Sequence, residues 1–238
     1  QMLWIPFFAA GVINGIGHYW GYRNFECKDA SRNIVPFGIL IGGEELHNNH
    51  HTYASSAKLS VKWWEFDIGW LYIRLLSFVG LAKVKKLPPK VAISRQKLTI
   101  DAETIKAVFN NRFQIMSRYY KDVVTPVFKY ERGRAASEAG KAMFTRAKKL
   151  LVREQSLMDK AAEKRLETLL ENQKDLALIY QFRLKLQAIW SRTTASQKEL
   201  VDALQQWCKQ AEASGIDALK RFAQSLRYYI PQEYSSNN

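Results

Sequence analysis

A chain of 238 residues is long enough to bury a sizeable core or to make one to two domains. Lys and Arg outnumber Asp and Glu by 36 to 22, a formal net charge of +14 that favours anionic partners. The two cysteines, Cys27 and Cys208, stand far apart, which excludes a C-x-x-C metal site and suits a reducing, cytoplasmic face.

Residues 2–17 carry no charge, and the apolar stretch continues to Tyr22. That is close to the roughly 20 residues a helix needs to cross a bilayer. The prediction is a transmembrane helix with Trp4 at one interface and Tyr19, Trp20 and Tyr22 at the other. A buried core helix is the alternative. Asn14 and His18 are four apart and share a face near the end of this span, where a polar pair is costly unless it has a task. By spacing alone, Asn14 is equally a helix-packing hydrogen bonder. The chain then turns polar from Gly21 to Arg32, and Ile34–Ile41 is an apolar piece too short to span. It reads as a re-entrant or interfacial approach to the histidine-rich stretch beyond it, or as a core helix.

That stretch is Gly43-Glu44-Glu45-Leu46-His47-Asn48-Asn49-His50-His51, and it holds three of the four histidines of the chain. Positions i, i+3 and i+4 share one helical face, so His47, His50 and His51 converge on one spot as ligands for a borderline transition metal. A zinc protease places a glutamate between its helical histidines, whereas Glu44 and Glu45 precede them. These two acids are placed to accept histidine N–H bonds or to favour a helix N-terminus. Residues 61–82 mix aromatic and aliphatic side chains with a few charges and lead into Lys83, Lys85 and Lys86. That composition predicts an interfacial helix with its basic end toward the cytoplasmic surface. Leu87-Pro88-Pro89 closes the module, giving domains at 1–89 and 90–238.

Beyond Pro89 the chain has no histidine, and helices are expected near 101–122, 135–172, 174–192, 196–213 and 215–229. Ser196-Gln-Lys-Glu199 has the form of a capping box. Acids and bases balance up to residue 60, so nearly all of the excess charge lies downstream. Arg112, Arg118, Lys121, Lys129, Arg132, Arg134, Lys141, Arg146, Lys148, Lys149 and Arg153 form a basic belt. It is a solvated face, a surface for anionic headgroups, or a phosphate-neutralising surface for nucleic acid.

Several motifs resemble a known family. Gly43-Glu44-x-x-His47-Asn48-x-His50-His51 is similar to the third histidine box of membrane fatty-acid desaturases, in the acyl-CoA Δ9 (stearoyl-CoA desaturase-like) branch. Asn14-x-x-x-His18 with Gly21 and Arg23-Asn24 resembles that branch's additional ligand segment, and Trp64-Glu65-Phe66-Asp67-x-Gly69-Trp70 its post-box helix. Leu46 and Ala54 depart from it, standing where an aromatic and a proline are usual. The tail from Gln187 to Tyr229 resembles the C-terminal helical segment of bacterial transposases. It also resembles an extension behind some gammaproteobacterial acyl-CoA desaturases, which accounts for the whole chain in one step and is preferred. A structural helical cap is the default role for that tail.

The resemblance implies an all-α protein, a membrane-embedded and interfacial histidine-box module followed by a basic helical domain. It implies a non-haem di-iron site with His18, His47, His50 and His51 as ligands, Asn14 acting through water and Glu44 orienting a histidine. It implies cis-desaturation of a fatty acyl chain, an acyl-CoA at Δ9, with O2 and two electrons from a ferredoxin, rubredoxin or cytochrome-b5-like donor. The setting is the bacterial inner membrane, with the site and the extension on the cytoplasmic side in contact with membrane lipid. The family's two earlier histidine boxes have no counterpart here, so the chain is expected to be the C-terminal part of a longer enzyme, inactive alone. A histidine-box lipid hydroxylase and a phospholipid-linked desaturase share the same ligands. The reading of another class, ranked last, is a basic nucleic-acid-binding protein carrying a desaturase remnant.

Overall fold

The computed structural model describes residues 7–135, 138–192 and 194–232, with backbone only at Ala9, Ala10, Glu138, Ala139, Met143 and Arg146. The chain is mostly helical and divides into two compact units, Gln1–Pro88 and Pro89–Asn238.

In the first unit, Phe7–Ile13 winds as a π-helix into α1 (Asn14–Tyr19). No helix among the described residues is long and apolar enough to cross a membrane, and the first residues of the expected span lie outside the described ones. Trp4 lies outside the described residues. The helix stops because Trp20 turns extended and Gly21 adopts φ +120°, with its α-carbon pressed against the Asn33 carbonyl. A Cβ at Gly21 would sit 2.0 Å from that oxygen, so only glycine fits. Tyr22 and Asn33 then bridge antiparallel, and the Arg23 guanidinium ties the polar loop by donating to the carbonyls of Cys27, Asp29 and Ser31.

The apolar piece after it is not a helix. Phe37–Gly38 (β1) pairs in parallel with Phe66–Asp67 (β2). The histidine run forms the short helix α2 (His47–Thr52). The expected interfacial helix is shorter than its apolar composition suggests: α3 covers Ile68–Phe78. Asp67 starts it by accepting from Trp70 N, while its other oxygen takes Leu59 N and Ser60 N and holds the preceding chain extended. None of the residues of α3 is buried.

The second unit holds a continuous apolar core. Its helices are α4 (Ala102–Asn110), α5 (Arg112–Tyr119), α6 (Thr125–Arg134), α7 (Glu138–Ala147), α8 (Lys160–Asn172), α9 (Lys174–Trp190), α10 (Gln197–Glu212) and α11 (Asp217–Leu226). The helix expected over 101–122 breaks at Asn111, whose side chain takes the Ala107 carbonyl. It then runs on to Arg134 through a π-helical turn at Tyr120–Val124. Pro126 lacks an N–H and removes one helical donor at this point, while Thr125 donates to Tyr120 O through both its backbone N–H and its Oγ1. The helix expected over 135–172 is two, α7 and α8, the second capped by Asp159; Ala136 and Ser137 lie outside the described residues. The fully buried Arg183 of α9 holds the connection between them, donating to Leu151 O and Arg153 O. The last three helices follow the expected pattern, and Ser196 and Glu199 form the capping box. Ala92–Ile93 (β3) and Tyr229–Ile230 (β4) pair antiparallel.

Candidate metal centre

Helix α2 explains its own sequence. At 100° per residue, His47, His50 and His51 fall on one side and Asn48 and Asn49 on the other. The asparagines are buried and fully used. Asn48 Oδ1 accepts from Asn24 N and Phe25 N, and its Nδ2 donates to Phe25 O. Asn49 receives Asn33 and Asn24 and donates to Glu65 Oε2. The Glu65 carboxylate also accepts from Tyr22 OH, Asn24, and the amides of Val61 and Lys62. Burial and the bond to Glu65 push the Tyr22 phenol far up, so it stays a donor.

The opposite side of α2 meets α1. Gly17 makes the approach possible, since a Cβ there would lie 3.0 Å from His47 Cδ2. His18 Nε2 and His47 Nε2 are 3.1 Å apart, and the His47 and His51 ring centroids 4.2 Å. One ring nitrogen from each of His18, His47 and His51 lies within 4.8 Å of the other two. Among the described residues this is the group of three His, Cys, Asp or Glu close enough to share a metal. Two imidazole nitrogens bound to one ion at about 2.1 Å stand about 3.0–3.4 Å apart, which the His18–His47 spacing meets.

The protonation state of His47 suits a ligand. Burial, with repulsion from His51, His18 and His50, pushes the His47 imidazole down to about 4, so it is neutral at ordinary pH. Its Nδ1 is buried with no hydrogen-bond partner. His51 Nδ1 lies 3.0 Å from Asp29 Oδ2. Although burial works against it, Asp29 is held far below the ordinary carboxylate range by hydrogen bonds from Ser31, His51 and Cys27. An ionised Asp29 accepts the Nδ1–H of His51 and turns its Nε2 free.

Not every expected site residue joins the cluster. His50 stands outside the group of three, its ring 6.4 Å from that of His47 and its Nδ1 3.9 Å from Glu44 Oε1. Asn14 is exposed one turn before His18 and outside the hydrogen-bonded network. Glu45, expected to be the lesser of the two acids, is buried and binds the amides of Leu40 and Ile41. Asp29, Gly17 and Glu65 were not singled out as site residues. No spacing rule links Asp29 to His51 across a polar loop, and Glu65 was legible only as part of the Trp64–Trp70 motif.

Comparison with known proteins separates the two units. A transposase family profile (DDE_Tnp_ISL3) matches residues 106–232, just over half of the chain. The chain belongs to this transposase family. The tail's likeness to transposases, placed second to the desaturase extension on sequence grounds, is thus the stronger one. Another likeness runs to desaturases. The Delta-9 desaturase-like 5 protein of Arabidopsis thaliana is 41% identical over 96 residues, 40% of this chain and 31% of that protein. The sn-2 palmitoyl-lipid 9-desaturase of a Nostoc strain is 47% identical over 81 residues, 34% and 28% of the two chains. The sn-1 stearoyl-lipid 9-desaturase of a Synechocystis strain is 44% identical over 84 residues, 35% and 26%. The chain therefore spans between a quarter and a third of these curated relatives. The matched lengths are close to that of the first unit, which carries the histidine motifs. No solved structure matches the chain.

Proposed function

We propose that the first unit is a metal-holding piece of a non-haem di-iron fatty acyl desaturase. The observation that carries this reading is the convergence of His18, His47 and His51, with His51 oriented by Asp29, in a chain similar to 9-desaturases. The donor set fits iron, because it is three imidazoles without thiolate, with His47 held neutral and its Nδ1 buried and unpartnered. His18, His47 and His51 would hold one ion, with His50 beside them for a second and Asn14 acting through water. Iron bound there would supply the O2 activation that removes hydrogen from an unactivated C–H bond. The chain's own residues position the ligands: Asp29 keeps the His51 proton on Nδ1, and Glu65 fixes α2 from behind through Asn49. A shallow, open apolar surface beside Gly11, Gly15 and Ile16 is where an acyl chain would lie.

The relatives' names favour a lipid-linked acyl chain over the acyl-CoA expected from the sequence. A membrane setting, with the site facing the bacterial cytoplasm, is supported by the unburied α3 and by exposed Phe78, Val79 and Leu81 ahead of Lys83, Lys85 and Lys86. O2 and a ferredoxin-, rubredoxin- or cytochrome-b5-like donor would complete the reaction, and ligands for the rest of the di-iron site would come from sequence outside this chain. Anaerobic equilibrium dialysis with Fe(II) tests this. Iron should be retained by the chain and lost in His47→Ala and His51→Ala; no retention overturns the reading.

The transposase family match favours a second reading for the second unit, contact with nucleic acid through its basic belt. DNA retention by the full chain that falls steeply with salt supports it, and none at low salt removes it.

A further inference from the structure

The second unit contains a cleft, apart from the histidine site, that gathers three cations of the basic belt in one place, and where its ligand is a nucleic-acid strand the inference below rests on the second reading above. Arg118, Lys121 and Lys129 recur at spacings that share one helical face, along α5, the π-helical turn and α6. Across from them stands Arg221 of α11. The two walls enclose about 470 Å3, within the range of small-ligand sites. Its floor is Phe222, buried and stacked edge-on against Tyr119 and Trp207, so the base of the cleft is rigid.

The charges in the cleft are unbalanced. Arg118 is held in place by Tyr229, whose hydroxyl accepts from its guanidinium at 2.7 Å, and by Asp122 at 3.5 Å. Asp122 is the acid lining the cleft, against four cations. Lys121, Lys129 and Arg221 are exposed and make no ion pair among the described residues. Like charges gathered in a concave, low-dielectric surface focus a positive field, which a compact anion relieves. A flat membrane face would pair such cations with exposed apolar side chains. Here the floor is buried, and the exposed large apolar residue nearest in sequence, Tyr130, does not line the cleft. The π-helical turn in its wall is a distortion that recurs at binding sites.

We propose that this cleft is a phosphate-binding site, in which Lys121, Lys129 and Arg221 grip phosphoryl oxygens around a pre-positioned Arg118. The shared chemistry is the phosphoryl group, free or within a nucleic-acid strand. Titration calorimetry of the full chain with inorganic pyrophosphate tests it. Saturable binding is expected, weakened about tenfold or more in Lys121→Glu/Arg221→Glu. The charge-matched variant Lys160→Glu/Lys164→Glu, on exposed positions of α8 outside the cleft, should bind as the parent does. Absence of saturable binding, or equal loss in both variants, overturns the proposal. A short single-stranded oligonucleotide that pyrophosphate displaces identifies strand phosphate as the natural ligand. One that stays bound beside pyrophosphate assigns the cleft to a free phosphate, with nucleic acid held elsewhere on the belt. Binding to phosphatidylglycerol vesicles without binding to either phosphate probe overturns it in favour of a membrane face.

Discussion

The two units are built from opposite materials. The first buries Ile13, Phe25, Cys27 and Leu46 but also Ser31, Asn33, Glu45, His47, Asn48, Asn49, Thr52, Ser60, Glu65 and Asp67. Many of its large apolar side chains, among them Trp63, Leu75, Phe78 and Leu81, are exposed. The second collects its apolar residues into one core running from Ile100 to Tyr229, with Arg183 as a buried cation inside it. Hydrophobic burial organises the second unit. Hydrogen bonds to the carboxylates of Asp29, Glu45, Glu65 and Asp67 organise the first, while much of its apolar surface stays outside its own interior. The difference teaches that one chain carries two solutions to folding, one built on apolar contacts and one on hydrogen bonds to buried polar groups.

The sharpest way to break this comparison is to remove the acceptor at the centre of the first unit. Glu65→Ala strands Tyr22 OH, the Asn49 side-chain amide and the backbone amides of Val61 and Lys62, and leaves Asn24 and Asn33 with Asn49 Oδ1 alone. Each stranded buried donor costs about 1–3 kcal/mol, so loss of the first unit's fold is expected. Limited proteolysis would show it, with the second unit still protected. The matching change in the second unit is Leu186→Ala, a fully buried side chain in the central helix α9. A loss of about 2–5 kcal/mol is expected in denaturant unfolding, with the histidine cluster's metal affinity unchanged. If either change collapses both units equally, the division is wrong.

Such variants also measure how much was legible beforehand. The histidine face of α2 was readable because helical spacing alone brings residues 47, 50 and 51 to one side. That His18 reaches the same point rested on family resemblance, and its physical cause, Gly17 admitting His47, carries no periodic signal. The helices from Lys174 onward were legible from their apolar stripes and a capping box. The break at Asn111 and the Arg183 strap were not. Both depend on one polar side chain reaching a backbone carbonyl, a contact no local pattern encodes. The end of the helix before the histidines was not legible either: it is set by Gly21, whose left-handed turn fits against the distant Asn33 carbonyl.

A smaller effect separates orientation from architecture within the first unit. Asp29→Asn keeps the size of the side chain beside His51 but removes the charge that holds its Nδ1–H. A drop of about 10–100-fold in metal affinity is expected by equilibrium dialysis, with the circular dichroism unchanged. An unchanged affinity would show that His51 needs no orienting partner. In the second unit, the Cys208 thiol is buried and pushed up to about 12, so it should resist thiol reagents until the unit unfolds.

The smallest expected effect is the most diagnostic of the contrast. Leu75→Ser with Phe78→Ser makes on α3 the same kind of change, apolar to small, that is costly at Leu186. Leu75 is 56% and Phe78 90% exposed, so neither change opens a cavity or strips a core contact. Exposed substitutions of this sort stay within about 0.5 kcal/mol, and no measurable shift in unfolding is expected. The apolar face they belong to should nevertheless lose affinity for detergent micelles or vesicles, because burial of that face occurs only against an outside partner. A large loss of stability instead would mean that α3 packs within the protein in solution, and the first unit would then be held by hydrophobic contacts as the second one is.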